Sequence, residues 1–386
     1  MGREKYGEIE SSPRRRKLAR IPTMPSRRSA LRSAAALPFA WQAISAPLAS
    51  AAKPRPLRYL QIGTGHAHAG KLEVYAESGE WEIVGVVEED PELRKAAAKS
   101  PLYRRFPMLE LGEALQTPDL RVVGVESRVR DLLRYARAAV EAGCHVHLDK
   151  PAGASMAEYR DLMRVAHAKG LVVQMGFMYR FNPAVELLRR MLAAGWLGEI
   201  FETHAVMSKV IPPKDRQELD EFPGGTMFEL GCHIIDLTVS VLGKPQRVVP
   251  FPRRTLEAPD DSLVDNMLAV LEYPKATATV RTTGLEVEGN SRRHFTVCGT
   301  AGTFHIQPLD KPSVTLSLSE ERSFGEGQRV FPKGSSEITF DVPYRRYVGD
   351  AAELAALVRG ERTNPWPSSH DLAVQETVLA ASGMAG

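Results

Sequence analysis

Cysteine is scarce in this sequence of 386 residues, which contains three, at positions 144, 232 and 298. They are far apart, and none of them forms a Cys-x-x-Cys pair. A thiolate zinc site and a fold stapled by disulfides are therefore disfavoured. The chain also lacks any run of about 18 apolar residues, which excludes a protein with several membrane spans.

The body of the chain also lacks an excess of positive charge. Residues 1–56 carry 12 Lys or Arg against 3 Asp or Glu, whereas residues 57–386 carry 38 against 44. A nucleic-acid partner would need a basic patch on the body and is not expected. The hydrophobic share of 43% and the charged share of 25% are typical of a folded protein. The length predicts two or three domains.

The first fifty residues have the layout of an export signal. A twin-arginine pair, Arg27 and Arg28, precedes an Ala-rich apolar stretch over residues 34–48, and small residues follow at 49–51. The order predicts twin-arginine export to the periplasm, with cleavage near Ala51 and no permanent membrane span. Residues 1–56 are left outside the fold. The basic segment 14–17 does not fit this layout, so we interpret Met24 as the true start; a disordered basic tail is the alternative.

A glycine turn follows the first apolar run of the body. Residues 57–62 read as a buried strand, and Gly63 and Gly65 then begin a turn that leads into a helical pattern. Strand, glycine turn and helix are the context of a dinucleotide fingerprint, in which the backbone approaches a pyrophosphate. His68 stands where the third glycine is usual, and His66 and His68 are predicted to contact the cofactor. A metal ion at this His-x-His pair is not expected, because further ligands on later strands would be needed.

An acidic residue, Glu88, ends the second predicted strand about 25 residues after Gly63. A carboxylate at this point can accept hydrogen bonds from both ribose hydroxyls of an adenosine, and it would repel a 2′-phosphate. The sequence therefore favours NAD over NADP. The alternative is that Glu88 simply begins a run of solvated acids in front of the next helix.

Strand and helix patterns alternate up to about residue 176, which predicts a doubly wound parallel sheet. Ligands bind at the carboxyl ends of such strands, and Lys150 follows the strand over residues 144–148. Further strands are predicted at 199–207, 263–273, 276–283 and 294–297 without helices between them, which is typical of an antiparallel sheet. Two helices are predicted within residues 344–386.

The order of these motifs resembles the Gfo/Idh/MocA family of oxidoreductases. The resemblance is carried by HVHLDKPAG, VVQMGFMYRFNPAVELLRRMLAAGWLGEI, GGTMFELGCHIIDLTVSVLG and CGTAGTFHIQP. It implies an α/β fold: a Rossmann domain over residues 57–177, an α/β domain with a large, mainly antiparallel open sheet over 178–345, and C-terminal helices over 346–386 that pack back on the body. It also implies a homo-oligomer formed through the open sheet.

The resemblance assigns the chemistry to three residues. Lys150 would polarise the substrate hydroxyl beside the cofactor, His233 would accept its proton, and Glu229 would orient the imidazole or join the proton relay. Glu229 and His233 are four residues apart and would share one helix face. Glutamate stands at position 229 where the family usually has aspartate, so the substrate is expected to differ from that of inositol dehydrogenases. An ordinary amphipathic helix is the alternative.

Four further residues are predicted to contact the substrate: Tyr179, Arg180, Asn182 and Asp236. Arg180 could equally be a structural ion-pair partner. The sequence thus predicts an NAD-dependent oxidoreductase that transfers a hydride between a sugar or polyol carbinol and nicotinamide. A redox-neutral enzyme that modifies sugars and retains its NAD is the first alternative. A non-catalytic protein that binds sugars or nucleotides is the second.

Overall fold

The structure is a computed structural model that describes residues 54–257, 260–341 and 343–385. The predicted twin-arginine pair, the Ala51 cleavage site and the Met24 start lie outside these residues. Among the described residues, no helix has both the length and the apolar character needed to cross a membrane.

A six-stranded, wholly parallel sheet forms the first half, and its strand order is β3-β2-β1-β4-β5-β6. The apolar runs of its central strands are buried because helices lie beside them, as in doubly wound folds. The strands are β1 (Leu57–Ile62), β2 (Trp81–Val87), β3 (Met108–Leu109), β4 (Leu120–Val125), β5 (His145–Leu148) and β6 (Val173–Met175).

Five helices connect these strands. Asp90 caps the second by accepting hydrogen bonds from two backbone N–H groups, and Ser155 caps the fifth by accepting from one, Glu158 N–H. The helices are α1 (Leu72–Glu77), α2 (Pro91–Ala97), α3 (Leu111–Ala114), α4 (Leu132–Glu141) and α5 (Met156–Ala168).

An eight-stranded sheet forms the second half, with the order β16-β13-β12-β11-β7-β10-β9-β8. Only the β10–β7 pair is parallel among its pairs, so the sheet is mainly antiparallel. Its strands are β7 (Ile200–Ser208), β8 (Arg247–Arg253), β9 (Asn266–Glu272), β10 (Thr277–Thr283), β11 (His294–Gly299), β12 (Gly302–Ile306), β13 (Val314–Leu318) and β16 (Gly334–Ile338); β14 (Arg322–Ser323) and β15 (Val330–Phe331) form a separate hairpin.

The remaining helices join the two sheets. The helix over residues 348–358 buries Ala351 and Leu354 against Tyr59 and Tyr75 of the first half. The helix over residues 368–381 contributes Val374 and Val378 to the main core. The remaining helices are α6 (Pro183–Ala193), α7 (Pro213–Leu219), α8 (Cys232–Leu242), α10 (Val348–Val358) and α11 (Ser368–Ala381), with the short α9 (Gly289–Arg292).

The predicted fold class, a parallel Rossmann-like sheet followed by a mainly antiparallel sheet, is confirmed. The strand predicted at 263–273 begins only at Asn266, because the Asp265 carboxylate accepts hydrogen bonds from the backbone of Thr255 and Leu256. The helix predicted around Glu229 and His233 is not uniform either. A π-helical turn, Met227–Gly231, precedes α8.

Candidate active site

The glycine turn after β1 lies against the loop after β4. Gly63 has a φ of +92°, and its N–H donates to Val87 O at 2.7 Å. A Cβ atom at Gly63 would lie 2.4 Å from the backbone of Ser127, so a side chain cannot be accommodated there. A Cβ atom at Gly65 would lie 2.8 Å from the Leu93 side chain. Glycine is therefore required at position 63 and favoured at position 65 for the turn to pack against its neighbours.

Glu88 is buried at the end of β2 and faces this turn. One carboxylate oxygen accepts hydrogen bonds from Thr64 N at 2.7 Å and from the Thr64 hydroxyl at 2.8 Å. The other accepts from Asp90 N at 3.0 Å. The structure thus places Glu88 beside the glycine turn, where the predicted ribose contact requires it, and its carboxylate braces that turn.

A cleft of about 360 Å³ opens beside the turn. Gly65 and His66 line one side, the loop containing Arg128 and Arg130 lines another, and Glu229 lies at the inner end; residues 217–219 and Glu221 complete the wall. The cleft therefore runs from the glycine turn towards the residues predicted for chemistry.

Lys150 contacts Glu229, which lines the cleft, and His233 follows Glu229 by four residues. Lys150 Nζ donates to Glu229 O at 2.9 Å and lies 3.7 Å from Glu229 Oε2. Burial opposes the charge on Lys150, but Cys232, Glu229 and Asp149 together hold its pKa above the ordinary value. Lys150 is therefore a permanent cation at the site.

His233 is almost completely buried at the start of α8. Its ring centroid is 5.5 Å from those of His68 and Tyr179. Burial, followed by the charge on Lys150, lowers the pKa of His233 well below its ordinary value. The imidazole is therefore neutral and can accept a proton.

The other predicted substrate contacts are engaged elsewhere. Tyr179 donates to Asp310 Oδ1 at 2.6 Å while its ring contacts His233. Asn182 caps α6 and donates to Leu309 O at 2.8 Å. Both side chains are buried, and of the two only Tyr179 reaches the neighbourhood of the chemistry.

Arg180 and Asp236 differ most from the predicted position facing the cleft. Arg180 donates two hydrogen bonds to Asp236, the shorter of 2.6 Å, and one of 2.6 Å to Asp371 of α11. His370 lies 3.1 Å from the same Asp236 carboxylate. Nε and Nη2 of Arg180 donate to buried carboxylates, so the structure favours the ion-pair alternative stated for Arg180 and gives no support to a substrate contact.

The sequence reasoning missed a buried charge cluster behind the glycine turn. Lys71 Nζ lies 2.8 Å from Asp149 Oδ2, 3.0 Å from Glu126 Oε1 and 2.9 Å from His147 Nε2. Burial raises the pKa of Glu126, whereas the pKa of Asp149 is lowered despite burial, because His66, Lys71 and His68 surround it. Lys71, which closely follows the fingerprint glycines, was the sequence feature that could have indicated this cluster.

His66, His68 and Asp149 offer nitrogen and oxygen atoms within 4.8 Å of one another, a spacing that one metal ion could bridge. Two ammonium groups border this trio, because Lys71 contacts Asp149 directly and Lys150 follows it in the chain. The Asp149 carboxylate already accepts from Lys71 Nζ and from Lys150 N. A further cation would meet repulsion and an occupied carboxylate.

Comparisons with known proteins agree with this arrangement. Residues 57–177 match the family model described as an oxidoreductase family with an NAD-binding Rossmann fold, and residues 185–305 match the GFO/IDH/MocA C-terminal domain. A GenD2 structure from gentamicin A biosynthesis, solved in complex with NAD, aligns with a TM-score of 0.69 and 21% identity over 86% of this chain and 94% of its own.

Two curated relatives are dehydrogenases by name. The D-glucoside 3-dehydrogenase of Escherichia coli (strain K12) is 31% identical over 51% of this chain and 57% of its own. The trans-1,2-dihydrobenzene-1,2-diol dehydrogenase of Bos taurus is 25% identical over 64% of this chain and 72% of its own. The chain thus spans less than two thirds of the length of the glucoside dehydrogenase.

Proposed function

Since the chain belongs to the GFO/IDH/MocA family of NAD-binding oxidoreductases, we propose that it oxidises a secondary hydroxyl of a sugar or polyol with NAD. The observation that carries the proposal is that Lys150 lies 3.7 Å from Glu229, which lines the glycine-turn cleft, and that the buried His233 follows Glu229 by four residues. The chain supplies there a fixed cation and a neutral imidazole, which are the two groups that oxidation of an alcohol requires.

The residues of the cleft fit a dinucleotide. Gly63 and Gly65 form a tight turn that a side chain at either position would disturb, Arg128 lines the cleft with a cationic side chain, and Glu88 braces the turn. These residues would hold the pyrophosphate and the adenosine ribose, and the bound nicotinamide supplies the acceptor for the electron pair of the carbinol carbon.

Glu88 gives a direct test of NAD preference. Replacing Glu88 with Ser and adding an arginine at Asp90 removes a carboxylate that repels a 2′-phosphate and supplies a cation that attracts it. We expect the ratio of the Kd for NADP to the Kd for NAD to fall at least tenfold in titrations of the purified protein. An unchanged ratio would remove the ribose role from Glu88.

Each catalytic group has a defined task. Lys150 donates a hydrogen bond to the substrate oxygen and stabilises negative charge as it develops there. His233 accepts the hydroxyl proton, for which its neutral imidazole is ready. Glu229, whose carboxylate lies 3.7 Å from Lys150, holds the ammonium in place.

The names of the two relatives indicate the substrate class. One acts on a glucoside and the other on a 1,2-diol, so both names describe an oxidisable carbon in a molecule with neighbouring hydroxyls. We therefore expect glucosides and cyclic diols to be turned over, and 3-deoxyglucosides to fail. The decisive experiment combines mass spectrometry of the purified protein for bound dinucleotide with a turnover screen of these compounds, with and without added NAD.

The redox-neutral alternative is supported by one contact. Arg130 on the loop after β4 donates to Glu221 at 2.8 Å, and this ion pair spans the cleft wall. An ion pair across the cleft wall slows release of the cofactor and so favours one that stays bound through turnover. Turnover of an aryl glycoside without added NAD would support this alternative over a simple dehydrogenase.

Export and assembly complete the proposal. The twin-arginine layout supports a periplasmic enzyme cleaved near Ala51, which N-terminal sequencing of the exported protein tests. The large mainly antiparallel sheet offers an extended face for a homo-oligomer, which light scattering of the purified protein tests.

A further inference from the structure

His68 occupies the position where a dinucleotide fingerprint usually has glycine, and its side chain has two different environments. Nδ1 lies 3.2 Å from Asp149 Oδ1. Within the described part of the chain, no group forms a hydrogen bond with Nε2 of His68, and this atom is not among the fully buried ones. One ring nitrogen is thus anchored and the other is open to a ligand.

Asp149 determines which nitrogen of His68 carries the proton. Its carboxylate accepts hydrogen bonds from Lys71 Nζ at 2.8 Å and from Lys150 N at 2.7 Å, and these contacts keep it ionised. An ionised carboxylate can only accept, so Nδ1 of His68 must donate to it. Nε2 therefore holds the lone pair. This is the carboxylate–imidazole arrangement that fixes the tautomer of a proton acceptor.

His66 has no free ring nitrogen. Its Nε2 lies 3.0 Å from Lys150 O, and a carbonyl can only accept, so this nitrogen carries the proton. Its Nδ1 lies 3.1 Å from the backbone N of His68 and 3.1 Å from Asp149 Oδ2. Both nitrogens of His66 are engaged, so of the two turn histidines only His68 presents a free lone pair.

The ring of His68 lies beside the ring of His233, the proton acceptor assigned above. The ring centroids of His68 and His233 are 5.5 Å apart with a tilt of 40°. An imidazolium on His233 would lie beside the Lys150 cation, whereas one on His68 would lie against the Asp149 carboxylate. The charged and titratable groups that face His68 are Asp149, Lys150, His66, His233 and Tyr347.

We propose that His68, positioned by Asp149, is the second member of a proton relay and receives from His233 the proton released by the substrate hydroxyl. The inference rests on the proposed function. In the balanced step the carbinol becomes a ketone, its C–H electron pair and hydrogen go to the bound nicotinamide, and its O–H proton goes to His233 and then to His68. The positive charge ends beside Asp149, and no further reactant is needed.

The first test is the tautomer of His68 in the NAD-bound full chain labelled with ¹⁵N-histidine. Two-bond nitrogen–proton correlations should show a neutral ring protonated at Nδ1, with the signal identified by its loss in His68→Gln. In Asp149→Asn the amide can donate to Nδ1, so the Nε2–H tautomer should appear. A wild-type ring protonated at Nε2 would overturn the proposal, and this measurement needs no known substrate.

The second test is turnover of methyl β-D-glucopyranoside with NAD. His68→Gln should lower turnover at saturating NAD about 10- to 100-fold and should alter the solvent deuterium isotope effect, which a merely structural role would leave alone. His167→Gln, at a position on α5 outside the site, is the matched control and should behave like wild type. Turnover of His68→Gln within twofold of wild type would overturn the relay.

Two outcomes separate this proposal from others. In the first, the wild-type protein binds NAD and shows the Nδ1–H tautomer of His68 but oxidises no glucoside or diol. That result would refute the proposed function, whereas the positioning of His68 by Asp149 would stand. A stoichiometric metal ion in the purified protein that is lost in His68→Gln would identify a metal site instead and overturn the relay.

Discussion

Lys150 and His233 are two buried basic side chains whose neighbours shift their pKa values in opposite directions. Both lie in the interior, where burial disfavours a charge. Nearby acidic groups hold the pKa of Lys150 above its usual value, whereas the Lys150 ammonium reinforces the effect of burial on His233. One residue is therefore a permanent cation and the other a neutral acceptor, and the neutral state of His233 depends in part on Lys150.

Replacing either residue should abolish most of the turnover without releasing NAD. We expect His233→Ala to lower turnover about 10²-fold or more because the proton acceptor is lost. Lys150→Met should be at least as severe, because an uncharged side chain of similar length cannot stabilise the developing oxyanion. Steady-state kinetics on a glucoside and a fluorescence titration of NAD measure the two effects. Near-normal turnover of His233→Ala would refute its catalytic role.

His147 predicts how stability responds to acid. Burial, reinforced by Lys71, lowers the pKa of His147 to about 3, whereas the unfolded imidazole titrates near 6.5. The unfolded state therefore binds more protons below pH 6.5, and stability falls as the pH falls, by about 1.4 kcal/mol per unit. Replacing His147 with Gln should flatten the decline in unfolding free energy between pH 6.5 and 5 by about 2 kcal/mol. An identical slope in both proteins would contradict this assignment.

At the scale of elements, two helices from distant parts of the sequence hold the site together. α8 carries His233 and Asp236, and α11 carries His370 and Asp371. Arg180, between β6 and α6, contacts an aspartate on each helix. The buried guanidinium therefore fixes the distance from the catalytic helix to the C-terminal helix.

Removing Arg180 should cost much more stability than removing a surface ion pair. Arg180→Met leaves the Asp236 and Asp371 carboxylates buried without their cation, and breaking a buried pair in this way typically costs about 3–5 kcal/mol. The control is Arg164→Met, whose partner Asp161 is exposed, with an expected cost below about 1 kcal/mol. Urea unfolding measures both. Equal costs would show that the Arg180 network contributes no more than a surface pair.

The sequence was most informative about elements with a clear period and least about long-range ion pairs. The alternation of strands and helices and the glycine turn predicted the parallel sheet, and the strand predicted at residues 199–207 agrees with β7 (Ile200–Ser208) to within one residue. The two-residue β3 has no pattern to recognise. Asp371 is 191 residues from its partner Arg180, and spacing in sequence cannot indicate such a contact. The Lys71–Asp149 pair was missed for the same reason.

At the scale of the whole molecule, an ion pair links the two halves across the cofactor cleft. Arg130 follows β4 of the first sheet, and Glu221 follows α7 in the second half. α7 is itself anchored, because Arg216 forms ion pairs with Asp261 and Asp265. Ion pairs therefore hold α7 in place and connect Glu221, which follows it, to the loop after β4.

Breaking the Arg130–Glu221 pair should speed release of NAD. Both partners are partly exposed, so Glu221→Gln should raise the dissociation rate by at most about fivefold, the effect of about 1 kcal/mol. The double variant Arg130→Glu/Glu221→Arg should restore the slow rate. Stopped-flow fluorescence measures release, and Glu141→Gln, which breaks the Arg137–Glu141 pair outside the cleft, is the control. A double variant as fast as the single one would exclude a direct charge interaction.

The position of Asp371 also bears on the order of events during synthesis. A ribosome adds about 5–20 residues per second, so the 191 residues between Arg180 and Asp371 take about 10–40 s to translate. During that interval the guanidinium lacks one of its two acidic partners, and α8, with His233, lacks the helix that holds it. The nascent chain therefore has all the strands of both sheets before it has the C-terminal helix that contributes Asp371.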